Sequence, residues 1–175
     1  MDDIELKYYV RECIKELAFS FKDDIGNYGY EADFHFDLYY ILNRKNENFW
    51  STKAIAATIP EEDRKRFDLV IYDPDSTKPE PKIIIEIKCN NFNKDDISHD
   101  FNKLTKSIKS GKGIIDRIFL YCGYHADKKL AIKDLHEVKI RLKEQSDKHT
   151  NVTCILIHNA AKEPFEIIND GNKAY

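Results

Sequence analysis

Residues 67–72 read Phe-Asp-Leu-Val-Ile-Tyr and residues 83–89 read Ile-Ile-Ile-Glu-Ile-Lys-Cys, and these two stretches decide the fold. Both are short and rich in β-branched or aromatic residues, and a proline-containing segment separates them, so they are predicted to be buried β-strands. Charged groups are costly to bury unless they are paired or bind a metal. Asp68, Glu86 and Lys88, which interrupt these strands, therefore require an explanation.

The period of a β-strand places these charged residues relative to one another. Alternate side chains share a face, so Glu86 and Lys88 point the same way as Ile84, and the intervening isoleucines take the other face. If the two strands pair as a hairpin, Asp68 lies beside Glu86. Two neighbouring carboxylates raise each other's pKa, and a divalent cation such as Mg²⁺ or Mn²⁺, held by oxygen ligands, would resolve the conflict.

The remaining chain alternates between helical and strand patterns. Helices are predicted over residues 3–21, 31–43, 98–110 and 130–148, and strands over 49–59, 67–72, 83–89, 117–124, 152–158 and 165–168. Helices that separate apolar strands predict an α/β fold, a three-layer α/β/α sandwich with a central mixed β-sheet. We expect one domain over residues 1–175, with a helical extension at 1–30 and a core at 31–124.

The order of an acid, then acid-x-lysine, resembles the PD-(D/E)xK nuclease superfamily, whose fold is restriction-endonuclease-like. Here the motif is Asp68 followed by Glu86-Ile87-Lys88, and the resemblance covers roughly residues 31–124. It implies that Asp68, Glu86 and the backbone carbonyl of Ile87 bind Mg²⁺ or Mn²⁺. It also implies that Lys88 positions or activates the attacking water and stabilises charge on the phosphate.

The sequence departs from the idealised motif in two places. Phe67 stands where the motif has proline before its first acid, as in many members of the superfamily. The Gln-xxx-Tyr motif of one exonuclease branch is missing after Lys88, where His99 and Lys103 stand instead. The resemblance therefore favours restriction, repair or defence types over that branch.

A further catalytic acid, from the helix upstream of the sheet, is implied by the resemblance, as in many members of the superfamily. At 100° per residue Glu31 lies on the same side of its helix as Phe34 and Leu38, so it is predicted to face the sheet. His35, one turn further along, is its candidate neighbour. The alternative for Glu31 is an ordinary N-terminal acid favoured by the helix dipole.

Two lysines are candidates for contacts with nucleic acid. On the helix over residues 98–110, Phe101 and Leu104 form a buried stripe, which predicts that Lys103 and Lys106 lie on the exposed side. Exposed lysines near a site that cleaves phosphodiesters could contact the DNA backbone. The alternative is an ordinary solvated helix face.

Composition bounds the class of protein. The formal net charge of the 175 residues is −3, which does not suit a protein that coats nucleic acid without specificity. No apolar stretch approaches the ~20 residues that span a bilayer, and the acidic start lacks a signal-peptide pattern. The four cysteines are scattered without a CxxC pair, which predicts a reduced, cytoplasmic protein without structural zinc.

Together these features predict a metal-dependent DNA endonuclease. By the resemblance it hydrolyses phosphodiester bonds to leave 5′-phosphate and 3′-hydroxyl ends, acts most naturally on double-stranded DNA, and forms a homodimer because cutting both strands usually needs two active sites. Two alternatives remain open. One is a catalytically inactive module of the same fold that binds nucleic acid or a protein partner, and the other is a small α/β binding protein with an accidental motif.

Overall fold

The computed structural model describes residues 2–23, 28–44, 67–72, 81–90, 94–106, 113–163 and 165–171. Across these ranges the chain forms four helices and five strands. The strand predicted over 49–59 and the last four residues of the helix predicted over 98–110 lie outside them.

The observed elements follow the predicted order. The helices are α1 (Asp3–Asp23), α2 (Glu31–Arg44), α3 (Lys94–Lys106) and α4 (Lys128–Lys148). The strands are β1 (Leu69–Tyr72), β2 (Pro81–Cys89), β3 (Asp116–Gly123), β4 (Thr153–His158) and β5 (Phe165–Asn169). The largest difference is the start of α3, where Asp95 and Asp96 in the first turn favour an earlier beginning through the helix dipole.

Side-chain caps fix the starts of the two long helices. At α1, Asp2 Oδ1 accepts from the Glu5 N–H at 2.8 Å, and Glu5 Oε2 accepts from the Asp2 N–H at 2.9 Å. At α4, Asp127 Oδ1 accepts from the N–H groups of Lys129 and Leu130 at 2.8 and 2.9 Å. Each carboxylate satisfies N–H groups that the first helical turn leaves without a partner.

The five strands form one mixed sheet in the order β1-β2-β3-β4-β5. The outer pairs, β1 with β2 and β4 with β5, are antiparallel, and the two inner pairs are parallel. Helices α3 and α4 supply the crossovers that parallel neighbours need. The α/β class and the mixed sheet are therefore confirmed.

Core residues fall into two clusters, and alternation along β2 assigns its residues to one or the other. Ile83, Ile85 and Ile87 belong to the cluster that contains the buried residues of α1 and α2. Ile84 belongs to the cluster that contains the buried residues of α3 and α4. Glu86 has the same parity as Ile84, so its carboxylate is directed towards α3.

A polar network ties α1 to the start of β3, at the opposite end of β2 from the motif. Asp116 is buried and accepts from the Thr153 hydroxyl at 2.7 Å. Arg11 forms ion pairs with Asp116 at 3.4 Å and with Asp170 at 2.9 Å. These contacts compensate the buried charge of Asp116, as burial of a carboxylate requires.

Candidate functional site

The pairing of β1 with β2 brings the first two acids of the motif together. Leu69 lies opposite Ile85, so one further step of the same register points Asp68 at Glu86. Asp68 Oδ2 accepts from the Ile87 N–H at 2.7 Å. The charge of Asp68 also raises the pKa of Glu86, which places the two carboxylates in one electrostatic environment.

Glu86 is the most deeply buried acid of this group, with 4% of its surface exposed. Its Oε1 accepts from the ammonium group of Lys103, which reaches it from α3. The pKa of Glu86 is raised to about 8: burial is the largest cause, the negative charges of Asp68 and Asp100 also raise it, and Lys103 lowers it.

Lys88, the lysine of the motif, forms an ion pair with Asp100 of α3 at 3.5 Å. Burial alone would lower the pKa of Lys88, but the negative charges of Asp100 and Glu31 outweigh it and the pKa is raised. Lys88 is thus held as an ammonium ion among acids, as a group that stabilises phosphate charge must be.

Glu31, the first residue of α2, reaches the same end of β2. Its Oε2 accepts from the Cys89 N–H at 3.4 Å. Burial raises the pKa of Glu31, Lys88 opposes that rise and Asp68 adds to it. His35, one turn along α2, contacts the backbone carbonyl of Asp68 through Nε2, which must donate there. The structure therefore brings Glu31 and His35 to the predicted acids.

The hydrogen bonds of Asp68 and Glu31 to β2 follow from the position at which β1 begins. Strand β1 begins at Leu69, opposite Ile85, and the N–H groups of Ile87 and Cys89 lie beyond it on the same edge of β2. The carboxylates of Asp68 and Glu31 accept from those two N–H groups. A buried backbone donor must find an acceptor, and here two side chains supply it in place of a neighbouring strand.

One sequence-based expectation is wrong and one residue was missed. Lys103 does not lie on the exposed side of α3, because its long apolar stem carries the ammonium group back to Glu86 and to 4.9 Å from the centre of the Phe67 ring. Lys106 is exposed, as predicted. Asp100 was not predicted, although its position three residues before Lys103 on one helix was a signal that the two could share a site.

The donor set can be tested against the divalent ion that the resemblance implies. Among the residues that the structure describes, no three His, Cys, Asp or Glu side chains stand where they could hold a metal ion. The implied set is different, because it consists of the Asp68 and Glu86 carboxylates and the Ile87 carbonyl. A strand residue directs its N–H and C=O to the same edge, so the Ile87 carbonyl faces the edge where Asp68 lies.

The net charge of the residues around the proposed site also suits a divalent cation. Among the described residues named above, four carboxylates face two ammonium groups, a formal excess of two negative charges when all are ionised: Glu31, Asp68, Glu86 and Asp100 against Lys88 and Lys103. Hard oxygen donors with uncompensated negative charge suit Mg²⁺ or Mn²⁺. The residues present therefore fit the ion in chemistry and in charge.

Comparison of the chain with protein-family models, with curated proteins and with solved structures gave no significant match. Within the described ranges, none of the helices is both long and apolar enough to cross a membrane.

Proposed function

We propose that this protein is a Mg²⁺-dependent DNA endonuclease of the PD-(D/E)xK superfamily, with a three-layer α/β/α sandwich around its mixed sheet. The two core clusters support the layers, since α1 and α2 share one cluster and α3 and α4 share the other. All four cysteines are free and buried, which supports a reducing, cytoplasmic environment.

The observation that carries the proposal is the excess of negative charge around Glu86. Glu86, a buried carboxyl group with a pKa of about 8, lies near the negative charges of Asp68 and Asp100, and among the described residues Lys103 is the positive charge that opposes them. Such an arrangement is costly to folding unless the missing positive charge is supplied. Strongly shifted pKa values of this origin are typical of functional sites.

Each residue has a role in hydrolysis of a phosphodiester. Asp68, Glu86 and the Ile87 carbonyl would hold the ion, and Glu31 would add a further carboxylate. Mg²⁺ held there would supply positive charge that favours attack of water on the phosphate. Lys88, held as a cation by Asp100, would orient the attacking water and stabilise charge that develops on the phosphate.

Double-stranded DNA is the proposed substrate. Lys106 is exposed on α3, so it could contact a backbone phosphate beside the site. A homodimer would provide two sites for two strands.

One observation favours the second candidate function, an inactive nuclease-fold module that binds nucleic acid or a protein partner. Both lysines are already engaged by acids, Lys88 by Asp100 and Lys103 by Glu86. Internal pairing of this kind would also stabilise a site that no longer cuts. Binding of DNA without cleavage would support this candidate.

Cleavage assays separate the two candidates. Wild-type protein, Glu86→Gln and Lys88→Met would be incubated with supercoiled plasmid, single-stranded DNA and RNA, with Mg²⁺, Mn²⁺ or EDTA. Glu137→Gln is the matched control, since it changes an exposed glutamate of α4 that pairs with Lys133. Nicked and linear plasmid are expected with wild type and the control only, and only with a metal.

The ends of the product carry further information. Ligation of the cleaved plasmid without prior phosphorylation is expected, because the proposed reaction leaves 5′-phosphate and 3′-hydroxyl ends. Cleavage that persists in Glu86→Gln and Lys88→Met would show that these residues are not catalytic. Cleavage that persists in EDTA would show that the reaction needs no divalent metal. If the protein binds DNA but does not cleave it, the inactive nuclease-fold module is the better explanation than the endonuclease.

A further inference from the structure

Lys103 lies in the last turn of α3, but its ammonium group points back to the buried Glu86 instead of outwards into solvent. Its ammonium group contacts Glu86 Oε1, and only 16% of its side chain is exposed. The same group lies 4.9 Å from the centre of the Phe67 ring, whose residue directly precedes Asp68. The ring face attracts the cation and helps to hold it at this end of β2.

The Glu86 carboxylate is also one of the groups that the proposed metal site needs. The carboxylate is buried, and among the described residues its other charged neighbours, Asp68 and Asp100, are negative. A buried carboxylate in such surroundings needs a cation, and Lys103 supplies one when no divalent ion is bound. A divalent ion on the same buried carboxylate would repel the Lys103 ammonium group strongly.

Lys88 differs from Lys103 in this respect. Its partner is Asp100 at 3.5 Å, which lies outside the proposed ligand set, so Lys88 can keep its contact when an ion binds. The acid that Lys103 contacts is Glu86 itself, so an ion bound at Glu86 opposes that contact directly. The flexible four-carbon stem of Lys103 allows the ammonium group to leave without movement of α3.

We infer that Lys103 is a built-in counter-ion of the metal site: it holds the Glu86 carboxylate in the free protein and leaves it when a divalent cation binds. This inference rests on the proposed metal-dependent function. Lys103 is accordingly a positioning residue, because it acts through Glu86.

The test observes the lysine itself rather than cleavage. Side-chain ammonium resonances of the intact, ¹⁵N-labelled protein would be followed by NMR during titration with MgCl₂, and calorimetry would give the dissociation constant of Mg²⁺ independently. Lys106 of the same helix is the internal control, since it is exposed. Hydrogen exchange of the Lys103 ammonium group is expected to rise at least about tenfold, because the contact that protects it is lost.

Glu86→Gln provides the matched variant. Without the negative charge, Lys103 should exchange faster than in wild type before metal is added and should not respond to Mg²⁺. Saturable Mg²⁺ binding to wild type with an unchanged Lys103 resonance would overturn the inference and leave the proposed function standing. Failure of wild type to bind Mg²⁺ at all would overturn the proposed function, and the inference with it.

Discussion

Replacement of Glu86 by glutamine should stabilise the protein, and by an amount that grows with pH. Glu86 is 4% exposed and lies beside Asp68, so its ionised form is disfavoured in the folded chain. Glutamine keeps nearly the same shape and an oxygen that can accept from Lys103, but it never ionises. The variant therefore behaves as a permanently neutral Glu86.

The size and direction of the effect follow from linkage. The pKa of Glu86 is about 8 in the folded protein against an ordinary value of 4.5, so the folded state keeps the proton where the unfolded state has lost it. Stability contributed by this group is therefore lost as pH rises from about 4.5 to about 8. At about 1.4 kcal/mol per pKa unit, the loss is about 2 kcal/mol at pH 6 and about 5 kcal/mol at pH 9.

Urea unfolding, followed by far-ultraviolet circular dichroism in EDTA, measures this difference. The free energy of unfolding would be compared between wild type and Glu86→Gln at pH 6 and pH 9, where the advantage of the variant should grow by about 3 kcal/mol. Glu137→Gln removes an exposed carboxylate that is about half accessible. Its difference from wild type should stay within about 0.5 kcal/mol at both pH values.

A variant advantage that does not change between pH 6 and pH 9 would refute the reasoning, because it would mean that Glu86 is ionised in both states or in neither. A less stable variant at pH 9 would show that the Lys103 ion pair outweighs burial and repulsion. Addition of Mg²⁺ at pH 9 should reduce the advantage, since an ion bound to wild type stabilises only the ionised carboxylate.

Three further predictions concern residues outside the candidate site that hold the fold together. Arg11→Met leaves Asp116 buried without its ion pair and should lower the free energy of unfolding by about 3 kcal/mol, measured by urea unfolding. Gly123→Ala places a Cβ 2.2 Å from Cδ2 of the His158 ring, so the melting temperature should fall, with a cost of about 2 kcal/mol. Asp127→Ala removes the N-cap of α4 and should cost about 1 kcal/mol in the same assays.

Each of these changes has a control within the chain. Asp170→Asn removes the other, more exposed partner of Arg11 and should cost less than Arg11→Met. Gly29→Ala adds a Cβ in open space and should be nearly neutral. Asp147→Ala changes an exposed acid in the last turn of α4 and should cost less than Asp127→Ala. A reversed ranking in any pair would contradict the contact on which that prediction rests.

The sequence was sufficient for the parts of the site that depend on local period. Alternation along β2 placed Glu86 with Ile84 and away from the other isoleucines, and helical spacing turned Glu31 towards the sheet. Both results follow from backbone geometry, which the order of residues fixes within one element. The meeting of Asp68 with Glu86 needed one further assumption, the hairpin, which the antiparallel pair provides.

The acids that Lys88 and Lys103 contact could not be predicted from local sequence patterns. A helical wheel places Lys103 more than a quarter turn from Phe101 and Leu104, and it ignores the length of the side chain. Which acid a lysine reaches depends on how α3 lies across the sheet, a tertiary arrangement that no local pattern encodes. The missed contact of Asp100 with Lys88 has the same origin, because its two residues belong to different elements.

The Asp68 and Glu31 carboxylates at the edge of β2 also determine which substitutions give interpretable activity data. An unpaired row of N–H groups is a template on which a strand of another molecule can add, and in many proteins it is the point where aggregation begins. Asp68 and Glu31 occupy the N–H groups of Ile87 and Cys89 and so close this template. Alanine at either position would open it, and lost activity could then reflect insoluble protein. The substitutions Asp68→Asn and Glu31→Gln keep an accepting oxygen, so they separate chemistry from self-association.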